Sequence, residues 1–128
     1  MHIIPIHYTA SKAVHSWRQI RSQAEELADF VDQDKYTGDN RSAYSVHHTQ
    51  VSAEPFNFFV FNKKNCPDKH RIIINPVIID RAEPRHIPEA CMSFRHRKSK
   101  IMARWMNITV RYQVPWGPFL WPMRKQYT

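Results

Sequence analysis

A chain of 128 residues with 42% hydrophobic and 12% aromatic side chains is one domain long, buries roughly two-thirds of the surface that its unfolded form exposes, and is not composed like a disordered polymer. Its 19 Lys and Arg against 11 Asp and Glu give a net charge of +8 with His neutral, which favours nucleic acid, ribosome or anionic membrane surroundings without choosing among them. The basic residues are spread along the chain with one concentration at Arg95, Arg97, Lys98, Lys100 and Arg104, which reads as a solvated face and not as a detached tail.

The first residues, Met1-His2-Ile3-Ile4-Pro5-Ile6-His7, lack a basic leader and a long apolar run, and no eighteen consecutive residues are apolar. The expectation is a soluble, cytoplasmic protein with no membrane partner. Without an export signal, Cys66 and Cys91 are expected as reduced thiols or metal ligands and not as a disulfide.

Over residues 11–33 the apolar positions Val14, Trp17, Ile20, Ala24, Leu27, Ala28 and Val31 recur at steps of three and four, which predicts an amphipathic helix. Residues 34–42 are polar around Gly38-Asp39-Asn40 and read as a loop. The aromatic and β-branched runs at 56–61 and 71–80 suit buried strands, with Asn75-Pro76 marking an edge, a bulge or a break in the second. Ile108, Val110, Tyr112 and Val114 alternate with polar residues, the period of a strand with one buried face. No second helix separates these strands, so an antiparallel sheet is expected. Beyond Val114 the stretch 115–122 is aromatic, apolar and broken by proline, and reads as a chain stopping mid-structure. Trp116 and Trp121 are expected as core or interface aromatics.

Three segments fall into a familiar order: Ile74-Asn75-Pro76-Val77-Ile78, then Glu89-Ala90-Cys91-Met92-Ser93, then a basic stretch ending in Arg104 and the strand Ile108-Thr109-Val110. They resemble the peptide deformylases, whose second motif is written E-G-C-L-S. Upstream, Ala43-Tyr44-Ser45-Val46-His47-His48-Thr49-Gln50-Val51-Ser52 lies on that family's first motif, G-x-G-L-A-A-x-Q-x-G, with its glycines and alanines replaced. Gln50 then stands 41 residues before Cys91, similar to the family's separation. Such losses in motif one suit divergent, phage-type members.

The resemblance implies an α+β fold of the peptide-deformylase type, with an N-terminal amphipathic helix packed on mainly antiparallel strands, and a single domain over residues 1–128. It implies a metallohydrolase that removes the N-formyl group from the N-terminal methionine of nascent peptides, using Fe2+ or Zn2+. Cys91 would supply a thiolate ligand, while Gln50 and the backbone N–H of Met92 would steady the oxyanion. Glu89 and Arg104 would form a buried supporting pair, and Tyr44, Ser45 and Arg97 would contact the peptide. The family's third motif, H-E-x-x-H, provides two imidazole ligands and the general acid/base. None of His2, His7, His15, His47, His48, His70, His86 or His96 is followed by Glu, so the metal site is incomplete, the metal-binding helix is missing, and inactivity is expected. Two versions stay open, a reading frame cut short or a complete inactive relative.

Each of these residues also has a plainer reading. Cys91 can be inert core, Gln50 and Glu89 surface residues, and the 95–104 stretch a solvated basic hairpin instead of a contact with peptide carbonyls or the ribosome surface. His47-His48 sits where the family has two small residues. Adjacent strand residues point to opposite faces, so at most one could reach Cys91, and a surface or satisfied core histidine is the expectation. The alternatives from other classes are a small basic nucleic-acid- or ribosome-binding protein and a partner-binding domain using 115–122 as its contact surface.

Overall fold

Strand alternation and helical periodicity meet on one sheet. The computed structural model describes residues 1–5, 10–33, 44–67, 69–89 and 100–127, and within these it describes 83–89 and 100–106 by backbone alone. Helix α1 is Trp17–Val31 and the strands are β1 Ser45–His47, β2 Phe58–Phe61, β3 Ile72–Glu89, β4 Lys100–Trp116 and β5 Phe119–Tyr127. They form an antiparallel five-stranded meander in the order β1-β2-β3-β4-β5. Helix packed on antiparallel strands is the expected α+β class. Among the described residues no helix is long and apolar enough to cross a membrane.

The α1 stripe Ile20, Ala24, Leu27 and Val31 is fully buried against Val46, Phe58, Val60 and Ile74, and each large side chain there contributes about 1.5–3 kcal/mol. The alternate residues pack on the other face, where Phe59 and Phe61 meet Ile73, Val110, Tyr112 and Val114. β2 therefore has apolar neighbours on both faces, which is why its sequence is an unbroken apolar run.

The helix starts later than its apolar spacing predicts. Val14 is buried with the stripe, but its peptide groups are already bonded to Asn75: the Val14 N–H donates to Oδ1 at 2.8 Å and the Val14 carbonyl accepts from Nδ2 at 2.7 Å. Helical bonding begins after Ser16, which is extended at φ −152° and makes no side-chain cap. Instead Gln19 reaches back to accept from the N–H of His15 at 2.8 Å.

Asn75 itself has φ 50°, and the β3–β4 register shifts between Ile74 and Val77. The Asn-Pro pair thus marks a bulge, the second of the three options its sequence left open. Beyond it β3 and β4 run paired as far as Glu89 opposite Lys100. The loop expected at 34–42 lies outside the described residues.

The 115–122 stretch differs from expectation. It closes the β4–β5 hairpin through Gly117-Pro118, with Gly117 at φ 56° and Trp116 opposite Phe119. Positive φ at the first central residue, followed by a proline that fixes φ negative, is the type II′ pattern that matches strand twist. Trp116 and Trp121 are 63% and 54% exposed, so they are not core. Their alternation with Pro115, Leu120 and Pro122 was a strand signal that the prolines obscured.

Asn75→Ala is expected to cost about 3 kcal/mol in urea unfolding, because it leaves the Val14 peptide groups unmet and puts a Cβ residue without a local amide at positive φ. Asn75→Gly should recover roughly 1 kcal/mol of this by relieving the backbone alone.

Candidate functional site

At the end of β1 the chain tightens into a 3-10 helix, His48–Gln50. His47 caps it, with Nδ1 accepting from the Thr49 N–H at 3.0 Å, while Gln50 Oε1 accepts from the His47 N–H at 3.0 Å. Together these make a reciprocal capping box. Because Nδ1 is an acceptor, the His47 proton belongs on Nε2, which lies 3.2 Å from Asn57 Oδ1. Burial holds the His47 pKa below its ordinary value, with the Asn57 contact opposing.

His48 turns the other way, into the core. Its Nδ1 accepts from the Phe56 N–H at 2.9 Å, and its ring stacks on Phe58 with centroids 4.8 Å apart and on Phe56 at 6.2 Å. Burial, aided by the neighbouring His47, pushes its pKa down to about 4. Both rings are thus satisfied structural histidines, the plainer of the two expectations for this pair.

With its Oε1 fixed, Gln50 offers the NH2 group as a donor, and among the described residues nothing accepts from it. The Gln50 carbonyl is tied to the Ile4 N–H at 2.9 Å, so the residue is held at both ends. Next to it runs an open edge. The Asn62 N–H donates to the Tyr44 carbonyl at 2.7 Å, which makes Tyr44 and Asn62 a bonded pair. By alternation Val46 and Val60 form the next one, and the main-chain groups of Ser45 and His47 point away from β2. The His47 N–H is met by Gln50, and no described strand pairs on that side. Tyr44, 71% exposed, stands at its start.

The structure therefore gathers Tyr44, Ser45 and Gln50 on one edge. The backbone places Glu89 at the end of β3 opposite Lys100, and Arg104 opposite Arg85, four rungs away. Cys91, Met92 and Arg97 lie outside the described residues. Asn57, which orients His47, escaped sequence reading, although a lone amide between Phe56 and Phe58 was a signal.

Among the described residues no three His, Cys, Asp or Glu side chains are grouped to hold a metal. His47 uses both ring nitrogens, and the Nδ1 of His48 is occupied inside an aromatic stack. These donors do not fit a site built from two imidazoles and a thiolate.

Residues 5–116 match the family described as Polypeptide deformylase. Among solved structures, the chain is similar to a peptide deformylase from Thermotoga maritima, at 23% identity and TM-score 0.67, covering 91% of this chain and 71% of that one. A peptide deformylase from Legionella pneumophila aligns at 14% identity and TM-score 0.71, covering 92% and 63%, so the chain spans less than two-thirds of its length. PDF from the Vibrio parahaemolyticus bacteriophage VP16T, solved with actinonin, aligns at 17% identity and TM-score 0.69, covering 98% and 87%. At these identities the likeness is one of fold. No curated protein matches the chain.

The environment of His48 sets a pH dependence. A folded pKa of about 4 against the ordinary 6.5 means that the unfolded chain takes up a proton first. This stability is complete above pH 6.5 and is lost as pH falls from there through 4, to a total of about 3 kcal/mol. Urea unfolding at pH 7 and pH 4 should show that loss, and His48→Gln, which keeps an acceptor for Phe56, should lack its share of it.

Proposed function

The chain belongs to the polypeptide deformylase family, and from that premise we propose that it holds the formylated N-terminus of a nascent peptide along the outer edge of β1. The observation that carries this reading is Gln50, whose amide is held through Oε1, which leaves the Nε2 group as its donor. An extended peptide adds to a sheet edge through main-chain bonds, here to Ser45 and to the carbonyl of His47, with Tyr44 alongside. Nε2 of Gln50 then donates to the formyl oxygen, the role of a group that steadies developing negative charge.

Binding and orientation are the steps these residues carry. Hydrolysis is not among them for this 128-residue polypeptide, because the sequence has no H-E-x-x-H and the described histidines are committed elsewhere. The Fe2+ or Zn2+ that the family resemblance implies would have Cys91 as one ligand, and two others would have to be found. Met92 and Arg97 keep the oxyanion and peptide-contact roles that the resemblance gives them, while Glu89 and Arg104, four rungs apart across β3 and β4, support the site separately and not as a direct pair. A nascent formyl-methionyl peptide remains the substrate class, and the ribosome surface the place where it is met.

Two measurements test this. With ferrous iron supplied, the polypeptide should not release formate from formyl-Met-Ala-Ser; release that disappears in Cys91→Ser would overturn the proposed inactivity. In equilibrium binding, the formylated peptide should be preferred over the same peptide without its formyl group. Gln50→Glu keeps an oxygen for the His47 N–H but removes the donor, and should reduce that preference about fivefold, the worth of roughly 1 kcal/mol. An unchanged preference would remove Gln50 from the site.

A further inference from the structure

The charge of this chain is not evenly placed. Residues 1–89 hold 11 Lys and Arg against 11 Asp and Glu, whereas residues 90–128 hold 8 and no acid, so the whole +8 falls in the last part. Within it the β4–β5 hairpin has no charged residue between Arg111 and Arg124. Its tip exposes Trp116, Phe119 and Trp121 at 63%, 68% and 54%, with the two indoles 5.9 Å apart.

Register explains how these are arranged. Trp116 pairs with Phe119, Val114 with Trp121 and Tyr112 with Met123, so the three exposed rings share one face. Arg111 pairs with Arg124, and Val110 with Lys125, at one level behind the tip. Two guanidinium groups directly opposite each other repel; the hairpin itself has no Asp or Glu, and the nearest carboxylate along the sheet is Asp80 on β3, opposite Thr109.

We propose that this hairpin is a peripheral docking surface for an anionic lipid bilayer, in which the aromatic tip enters the headgroup boundary and the cations at Arg111, Arg124 and Lys125 meet lipid phosphates. Arg111 and Arg124 lie five rungs behind the turn, roughly 17 Å at about 3.4 Å per residue. An apolar element seated in an interface sinks about 5–10 Å, and flexible arginine stems carry their heads forward over the rest. Tryptophan is the side chain most at home at that boundary.

The prolines agree. A two-residue turn makes Trp116–Phe119 a bonded pair, so Pro115, Leu120 and Pro122 are at positions whose main chain faces outward. Proline has no N–H to strand there, and Pro118 removes another donor in the turn. The same Pro122 blunts the free edge of β5 against an added strand, and matching cations oppose a second copy. Single-stranded nucleic acid fits less well, because Arg111 and Arg124 occupy the face opposite the rings on which bases would stack. The sequence expectation of no membrane partner rested on the lack of a spanning segment, which does not bear on a peripheral contact.

The test is co-sedimentation of the full chain with phosphatidylcholine–phosphatidylglycerol vesicles and with pure phosphatidylcholine vesicles, alongside binding to an oligouridine. Binding to the mixed vesicles, with a blue-shifted tryptophan emission, is expected to exceed that to the neutral ones at least tenfold. The combined Trp116→Ser, Phe119→Ser and Trp121→Ser variant should lose it with an unchanged circular dichroism spectrum, since the rings are exposed. Arg111→Gln with Arg124→Gln should lose the preference for anionic lipid while retaining the fold. No vesicle binding, binding that survives the serine variant, or oligouridine binding without vesicle binding would each overturn the proposal.

Discussion

One side chain joins the parts of this fold that sequence leaves separate. The Asn75 amide bonds both peptide groups of Val14 and donates to Gln113 Oε1 at 2.8 Å, while its own N–H donates to the Asn57 carbonyl at 2.8 Å. The segment before α1, the approach to β2 and the strand β4 therefore meet at a single residue. Such a junction requires the chain to leave the regular strand, and Asn75 does so at φ 50°, a conformation that costs about 1–2 kcal/mol for most residues and less for asparagine. Four hydrogen bonds, each contributing about 1 kcal/mol net, offset that strain. The register shift that follows sets the pairings of Val77 with Arg111 and Ile78 with Val110, and a second shift between Ile78 and Asp80 sets the rest of the β3–β4 ladder.

A second amide does the same at the far end of the helix. Asn62 is fully buried after β2; its Nδ2 donates to the Val31 carbonyl at 2.9 Å and its Oδ1 accepts from the Lys64 N–H. Beside it Asp32 accepts from Arg71 at 2.6 Å and from the Lys63 N–H at 3.1 Å, and Arg71 also donates to the Phe61 carbonyl. The helix is thus fixed at its start by Asn75 and at its finish by Asn62 and Asp32. Hydrophobic burial brings the helix to the sheet without direction, and these polar contacts define where along the sheet it rests. The 3-10 turn that carries Gln50 hangs from the same sheet, so its position follows from theirs.

Much of this was legible because burial is periodic. The spacing from Val14 to Val31 gave the helix, and the alternation from Ile108 to Val114 gave the middle of β4. The helix start was not legible, since a buried Val14 has the same spacing whether its peptide is helical or bonded to a distant asparagine. The hairpin was missed for a related reason: proline and tryptophan in 115–122 hid an alternation that Gly117 makes possible. At the site, Gln50 could be found by its family position, yet its orientation depends on the His47 N–H, a backbone group that no side-chain pattern reveals. Charge was read as spread along the chain because basic residues are; the acids are what stop at Glu89.

The capping box also decides what the loop can be. His47 Nδ1 holds the Thr49 N–H, and Gln50 Oε1 holds the His47 N–H, so each half of the box supports the other. For the His47 Nδ1 to bind a metal, it would have to release Thr49; the turn would loosen, and the contact that aims the Gln50 amide would weaken with it. Its Nε2 would have to leave Asn57, and the His48 Nδ1 would have to leave the Phe56 N–H inside an apolar stack, abandoning a buried donor at about 1–3 kcal/mol. Ligation through His47 Nδ1 and presentation of the glutamine donor are therefore competing uses of the same few atoms. This loop has adopted the second, which is why its two histidines are not free to act as a metal-binding pair.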